Sequence, residues 1–290
     1  MPNSLGRVYQ RLPSFPMRAA NTVADSVGKL GKLGRCSHCL WTYFEREVEN
    51  VFSNGQTNSM QLFGLDVDPC KSAEESYDTH ATKICTEAAQ LLYTEAHHRN
   101  APWLSKPVPG RNGEEYEPMK PLSKGHKQHP CFFWVCASPH HVWWTLQYAL
   151  ALCKEYSLRN NTAKTPFPVH KTHYHLLHIL AHTPKPTSPC TCTVDEFQKY
   201  ISSLDIDSKK PRDPIKTCTE NPPQGCLFGV LAINTKDIPE PHKTEFDARL
   251  AKACNDWVKS YRIYYESKKY TFKKPNVSMR KHGKEFKFNA

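Results

Sequence analysis

Apolar residues return at helical spacing over several long segments of this chain, and that period decides what it can fold into. Over 71–99, Tyr77, Ala81, Ile84, Ala88 and Leu91 share one side of a helix, because about 3.6 residues complete a turn. Val142, Leu146, Ala149, Leu150 and Cys153 do the same beyond Ser138-Pro139, a capping serine followed by a proline suited to a first turn. A longer run over 244–269 aligns Phe246, Leu250, Ala253, Cys254, Trp257, Tyr261 and Tyr264. Residues 169–182 read as another helix, and Thr193 with Glu196 makes a capping box for a short one. Residues 60–65, an apolar run ended by Asp66, Asp68 and Pro69, read as a strand and turn. Proline outnumbers glycine, 23 to 12, which suits helices with stiff connections more than a turn-rich β protein. The expected fold is mainly α: a single helical domain with one or two short β-strands and long Pro-rich loops, plus an N-terminal extension.

Composition shifts divide the chain into an N-terminal basic extension (1–59), a helical body (60–272) and a basic C-terminal tail (273–290). The first 24 residues carry Arg7, Arg11 and Arg18 and no acid. They read as a flexible basic arm, because Pro2, Pro13 and Pro16 would interrupt a presequence helix; a transit peptide is the alternative. Residues 40–52 place Trp41, Phe44, Val48 and Val51 at helical spacing, as a short helix docked on the body. Residues 100–130, rich in Pro, Gly and Lys, read as a long loop. No continuous apolar stretch reaches the length of a membrane span or a secretory signal. Most of the twelve cysteines, among them Cys85, Cys131, Cys136, Cys153 and Cys254, sit in apolar runs and read as small buried hydrophobes. An intracellular, reducing compartment fits them, with a virion or an organelle as further settings.

Charge points to the partner. The net charge is +11, and residues 259–290 hold ten Lys and Arg against two Glu. Such clustering favours polyanions, through release of counterions from phosphates or attraction to an acidic surface. In the same region Tyr261, Tyr264, Tyr265, Tyr270 and Phe272 alternate with Arg262, Lys268, Lys269, Lys273 and Lys274. Aromatic faces stack on bases while cations hold phosphates. With Arg280 and Lys281, these basic residues form the candidate nucleic-acid surface. Part of the aromatic set belongs to the helix core by its spacing.

Three constellations could carry chemistry. His80, Lys83, Glu87 and Gln90 form a polar stripe beside the apolar face of their helix, where acid, base and amide could move a proton or position a phosphate. A plain Lys83–Glu87 ion pair is the competing reading. His175, His178 and His182 share a helical face, but a zinc ion there needs a fourth ligand from elsewhere. Cys36-Ser37-His38-Cys39 is a knuckle offering Cys36 and Cys39 as two thiolates for zinc, with Cys190 and Cys192 or Cys218 and Cys226 to complete the site. No P-loop, dinucleotide-binding glycine pattern, nucleophile elbow or zinc-protease helix is present, which argues against the common nucleotide-dependent and hydrolase classes.

The order of several segments resembles a family of small proteins from bacteriophages and large DNA viruses. The matching pieces run from Gln61-Leu62-Phe63-Gly64-Leu65-Asp66-Val67-Asp68-Pro69 into Asp78-Thr79-His80-Ala81-Thr82-Lys83 and on to Glu87. His129-Pro130 with Trp134, Glu155-Tyr156 with Arg159, Pro222-Pro223-Gln224 and Tyr261-Arg262-Ile263-Tyr264-Tyr265 follow. Thr79 stands where that family has Lys. The resemblance implies a role in viral nucleic-acid metabolism, loosely DNA base repair or modification. It also implies a site drawn from Asp66 or Asp68, His80, Lys83, Glu87, His129, Glu155 and Arg159. The carboxylates and His80 would then act as acid or base, and Lys83 and Arg159 would hold phosphate. Two alternatives stay open: a structural polar network linking the helices, and a non-catalytic component of a virion, nucleoprotein or organellar assembly with protein partners. Whether the chain is an enzyme is not decided at this level.

Overall fold

The computed structural model describes residues 61–122, 129–161, 169–204, 215–236, 238–271, 280–281 and 284–285. The chain divides into two compact units, 1–59 and 60–290. The Cys36–Cys39 knuckle, the helix expected over 40–52 and the tail residues Lys273 and Lys274 lie outside the described residues.

The body is mainly helical, with eight α-helices among the described residues. They are α1 (Pro69–Glu74), α2 (Asp78–His98), α3 (Pro130–Ala137), α4 (Pro139–Asn160), α5 (Thr172–His182), α6 (Val194–Ser203), α7 (His242–Lys252) and α8 (Trp257–Thr271). Short antiparallel pairs interrupt the connections. β1 (Val108–Pro109) pairs with β2 (Glu115–Tyr116), β3 (Lys216–Cys218) with β4 (Gly229–Leu231), and β5 (Arg280–Lys281) with β6 (Lys284–Glu285).

Helix α4 is the hub. It starts where expected: the Ser138 hydroxyl accepts a hydrogen bond from the His140 amide, and Pro139 fills the first turn. Helices α1, α2, α3 and α5 all pack on it, and its contact with α2 is the most extensive. Leu146, Tyr148, Ala149, Leu152 and Cys153 of α4 are buried against Ala81, Ile84, Cys85, Ala88, Leu91 and Leu92 of α2. The capping box at Thr193 and Glu196 is formed and opens α6.

Four expectations change. Residues 61–64 are not a strand, because no backbone among the described residues forms a ladder with them. Instead the Ser72 hydroxyl donates to the Phe63 carbonyl at 2.7 Å and accepts from the Leu65 amide at 3.0 Å. One side chain thus replaces a ladder. The helix expected over 71–99 breaks at 75–77. Arg159 takes the Ala73, Glu74 and Ser76 carbonyls, and the Tyr77 amide donates to the Tyr265 hydroxyl at 2.6 Å. The helix expected over 244–269 breaks into α7 and α8 because the backbone turns aside to bond Glu220 at Asn255 and Trp257. Cys254 falls in that break and is exposed, not buried. Finally, the stretch read as a loop over 100–130 carries a 3-10 turn (Pro102–Ser105) and the β1–β2 hairpin, and α3 follows it. The α3 sequence is apolar on every side, so it has no periodicity to read.

Candidate functional site

The residues of the predicted polar stripe sit where α2 meets two other elements, the 61–65 segment and α8. His80 lies in the first turns of α2, buried, with its ring stacked on Phe63 at a centroid distance of 4.8 Å. Its Nδ1 is 2.8 Å from the Tyr265 hydroxyl. That hydroxyl oxygen also accepts the Tyr77 amide proton at 2.6 Å. Burial, with the Lys268 and Lys83 charges adding to it, holds His80 well below the usual histidine range and keeps the ring neutral.

One turn on, Lys83 pairs with Glu87 at 3.1 Å, the lysine side chain 40% exposed and the carboxylate 6%. The pair therefore has a wet cationic end and a dry anionic end. Burial raises the Glu87 carboxyl, against the pull of Lys83. Its Oε2 has no hydrogen-bond partner, and the same holds for Oε1 of Gln61 and Oε1 of Gln90. Gln61 donates to the Ala232 carbonyl at 2.5 Å and to the Tyr264 hydroxyl at 3.2 Å. From α8, Lys268 donates to that same hydroxyl at 2.8 Å and lies over the Tyr264 ring. A carboxylate, a neutral imidazole, two ammonium groups and two tyrosines thus converge from three elements. Such a set can hold an anionic group at its edge and pass a proton further in.

The other candidates are not part of this group. The Asp68 carboxylate caps α1, accepting from the Cys70 and Lys71 amides at 2.7 and 3.0 Å. The His129 ring caps α3 by accepting from the Cys131 amide. Glu155 and Arg159 form a buried clamp with Asp78, in which Arg159 donates to Glu155 at 2.8 Å and to Asp78 at 3.1 Å. Asp66 accepts from the Asp68 amide. It also lines an open hollow of about 570 Å³ with Arg249, Lys252, Lys259 and Arg262 of α7 and α8. Of the basic surface residues, Arg262 donates to the Leu65 carbonyl at 2.8 Å and Lys269 lies over the Tyr270 ring. Arg280 and Lys281 form β5.

The histidines of α5 are engaged separately. His175 Nδ1 meets the Tyr93 hydroxyl at 3.1 Å, while the Trp103 ring contacts His178 and stacks on His182. A different group could hold a metal ion. Cys85 of α2, Cys153 of α4 and His170 just before α5 are all buried, and their donor atoms lie within 4.8 Å of one another. Burial opposes ionisation of Cys85, but hydrogen bonds from Cys153 and His170 outweigh it and lower its thiol; Cys153 is pushed well up in exchange. Read one by one in the sequence, these cysteines look like buried hydrophobes. Only the packing of α2 on α4 brings them together. Phe63, Gln61 and Tyr77 were also missed at the stripe, since nothing local marks an apolar or amide side chain as a neighbour of His80.

No family model matches this chain, and neither does any curated protein or solved structure. Among the described residues, no helix is long and apolar enough to cross a membrane.

Proposed function

We propose that the chain is a nucleic-acid-associated protein, and that His80, Lys83, Glu87 and Lys268 form the place where it meets a nucleotide, in base repair or modification. The observation that carries this reading is the arrangement of the stripe. A buried carboxylate with one unpartnered oxygen stands beside an exposed ammonium group, next to a neutral imidazole held by a tyrosine. Lys83 and Lys268 would hold phosphate, His80 would move a proton, and Glu87 would accept from a base or sugar donor. The concentration of basic residues after 259 and the resemblance in motif order support it as well. Zinc is part of the same reading as a cofactor.

Binding of the full chain to labelled single- and double-stranded DNA and RNA over a salt series tests the proposal. The slope of log affinity against log salt should be steep, at roughly 0.7 to 0.9 per phosphate contact. Lys268→Ala should reduce its magnitude by about one contact. His80→Ala should leave binding and the circular dichroism spectrum intact while removing any base excision or modification. Absence of binding even at low salt would sink the reading.

A second reading is a non-catalytic component of a virion, nucleoprotein or organellar assembly. It is favoured by the engagement of Asp68, His129, Glu155 and Arg159 in caps and a helix clamp. On that reading His80→Ala has no functional effect, while removal of 273–290 weakens partner binding.

A further inference from the structure

Three polar side chains meet in the middle of the helical core: Cys85 at 0% exposure, Cys153 at 2% and His170 at 7%. Each comes from a different part of the chain, and their donor atoms lie within 4.8 Å of one another. The Cys85 sulfur is 3.6 Å from Nδ1 of His170. That same nitrogen accepts the Thr172 amide proton at 3.3 Å, so Nδ1 is unprotonated, the ring proton sits on Nε2, and a metal ion at Nδ1 would take the place of the Thr172 amide. The Tyr156 ring packs edge-on against the imidazole at 4.9 Å. The Cys85 thiol also lies 3.1 Å from the Thr82 carbonyl, which a metal-bound thiolate would release.

We propose that Cys85, Cys153 and His170 are the three protein ligands of a zinc ion that ties α2, α4 and the start of α5 together, with a water molecule completing the tetrahedron. This rests on the zinc part of the functional reading and not on its nucleic-acid part. The donor set selects the ion by its chemistry. Two sulfurs and an imidazole suit zinc and other borderline or soft ions, while magnesium and calcium demand oxygen. Charge selects as well. Two thiolates balance a divalent cation, so the loaded centre is neutral, as burial requires. Binding displaces the two thiol protons to solvent and leaves the neutral imidazole unchanged in charge. Cys85 lies between Lys83 and Glu87 on α2, so the ion would fix the rotation of the helix that carries the candidate site.

The test is metal analysis of the full chain carrying Cys36→Ser and Cys39→Ser, which removes the N-terminal knuckle as a competing site. Purified under reducing conditions and reconstituted with zinc, this chain should hold one equivalent. Cobalt substitution should produce a thiolate-to-metal charge-transfer band in the near ultraviolet, which reports sulfur ligation without any change to the core. Cys153→Ala should lose the equivalent and the band, and His170→Gln should weaken retention against a chelator. If the knuckle-free chain takes up neither zinc nor cobalt, the proposal is overturned. It is equally overturned if the metal survives Cys153→Ala, or if the intact mass under reducing conditions shows a Cys85–Cys153 disulfide. Each result is independent of whether the protein binds nucleic acid.

Discussion

Arg159 shows how one side chain can be read two ways. Its place in the resemblance suggests a phosphate clamp, and the structure buries its side chain at 3% exposure between Glu155 and Asp78. It neutralises Glu155 and Asp78 and holds the carbonyls that end α1. Arg159→Ala removes the guanidinium that faces the buried Glu155 carboxylate. The expected loss of stability is about 3–5 kcal/mol, read as a lower urea midpoint. Arg159→Lys should recover only part of it, because an ammonium group lacks the planar fork that reaches several acceptors. His80, Lys83 and Glu87 were legible as a group because a helix repeats predictably, so residues three or four apart share a side. The burial of His80 and Glu87 was not legible, since that depends on Phe63 and α8.

Elements were recognised where their own residues specify them and misread where a distant residue intervenes. Ser138 and Thr193 cap their helices through amides two or three residues on, and both starts were visible. The break between α1 and α2 depends on Arg159 and Tyr265, from other helices, and was invisible. Ser72 has the same character: it satisfies the Phe63 carbonyl and the Leu65 amide, which a strand partner would otherwise serve. Ser72→Ala leaves the Phe63 carbonyl and the Leu65 amide only the bond between them, at 3.1 Å. The expected cost is about 1–3 kcal/mol, read by denaturant unfolding. Faster amide exchange at Leu65 than in the wild type would confirm the local cause. An unchanged midpoint would show that other contacts hold this segment.

At the scale of the whole molecule, several histidines are buried in the neutral state, and this sets an acid limit to the fold. Burial brings His141 down to about 3 and His175 to about 4, from an ordinary value of 6.5. The unfolded chain therefore binds protons that the folded chain refuses. Stability is full above pH 6.5 and falls as the pH drops towards these lower values. Each such histidine should cost about 1.4 kcal/mol per pH unit across that window. Urea midpoints between neutral and acid pH check this, and His141→Phe should flatten the slope. His141 is apt for the test: it stacks on Trp134 and donates from Nδ1 to the Trp134 carbonyl at 2.6 Å, far from the candidate site in sequence.

The sequence by itself determined the helical class, the apolar faces of α2 and α4, the caps at Ser138 and Thr193, and the basic character of the C-terminal region. These follow from residues a turn apart or from charge alone, which need no partner to be read. Only the tertiary structure decided that Cys85 meets Cys153 and His170, that Arg159 clamps α1, and that Tyr265 holds His80. Each of those contacts joins residues far apart in the chain, and no local period records which helix will pack on which. Chemistry that depends on convergence becomes visible only after the helices have met.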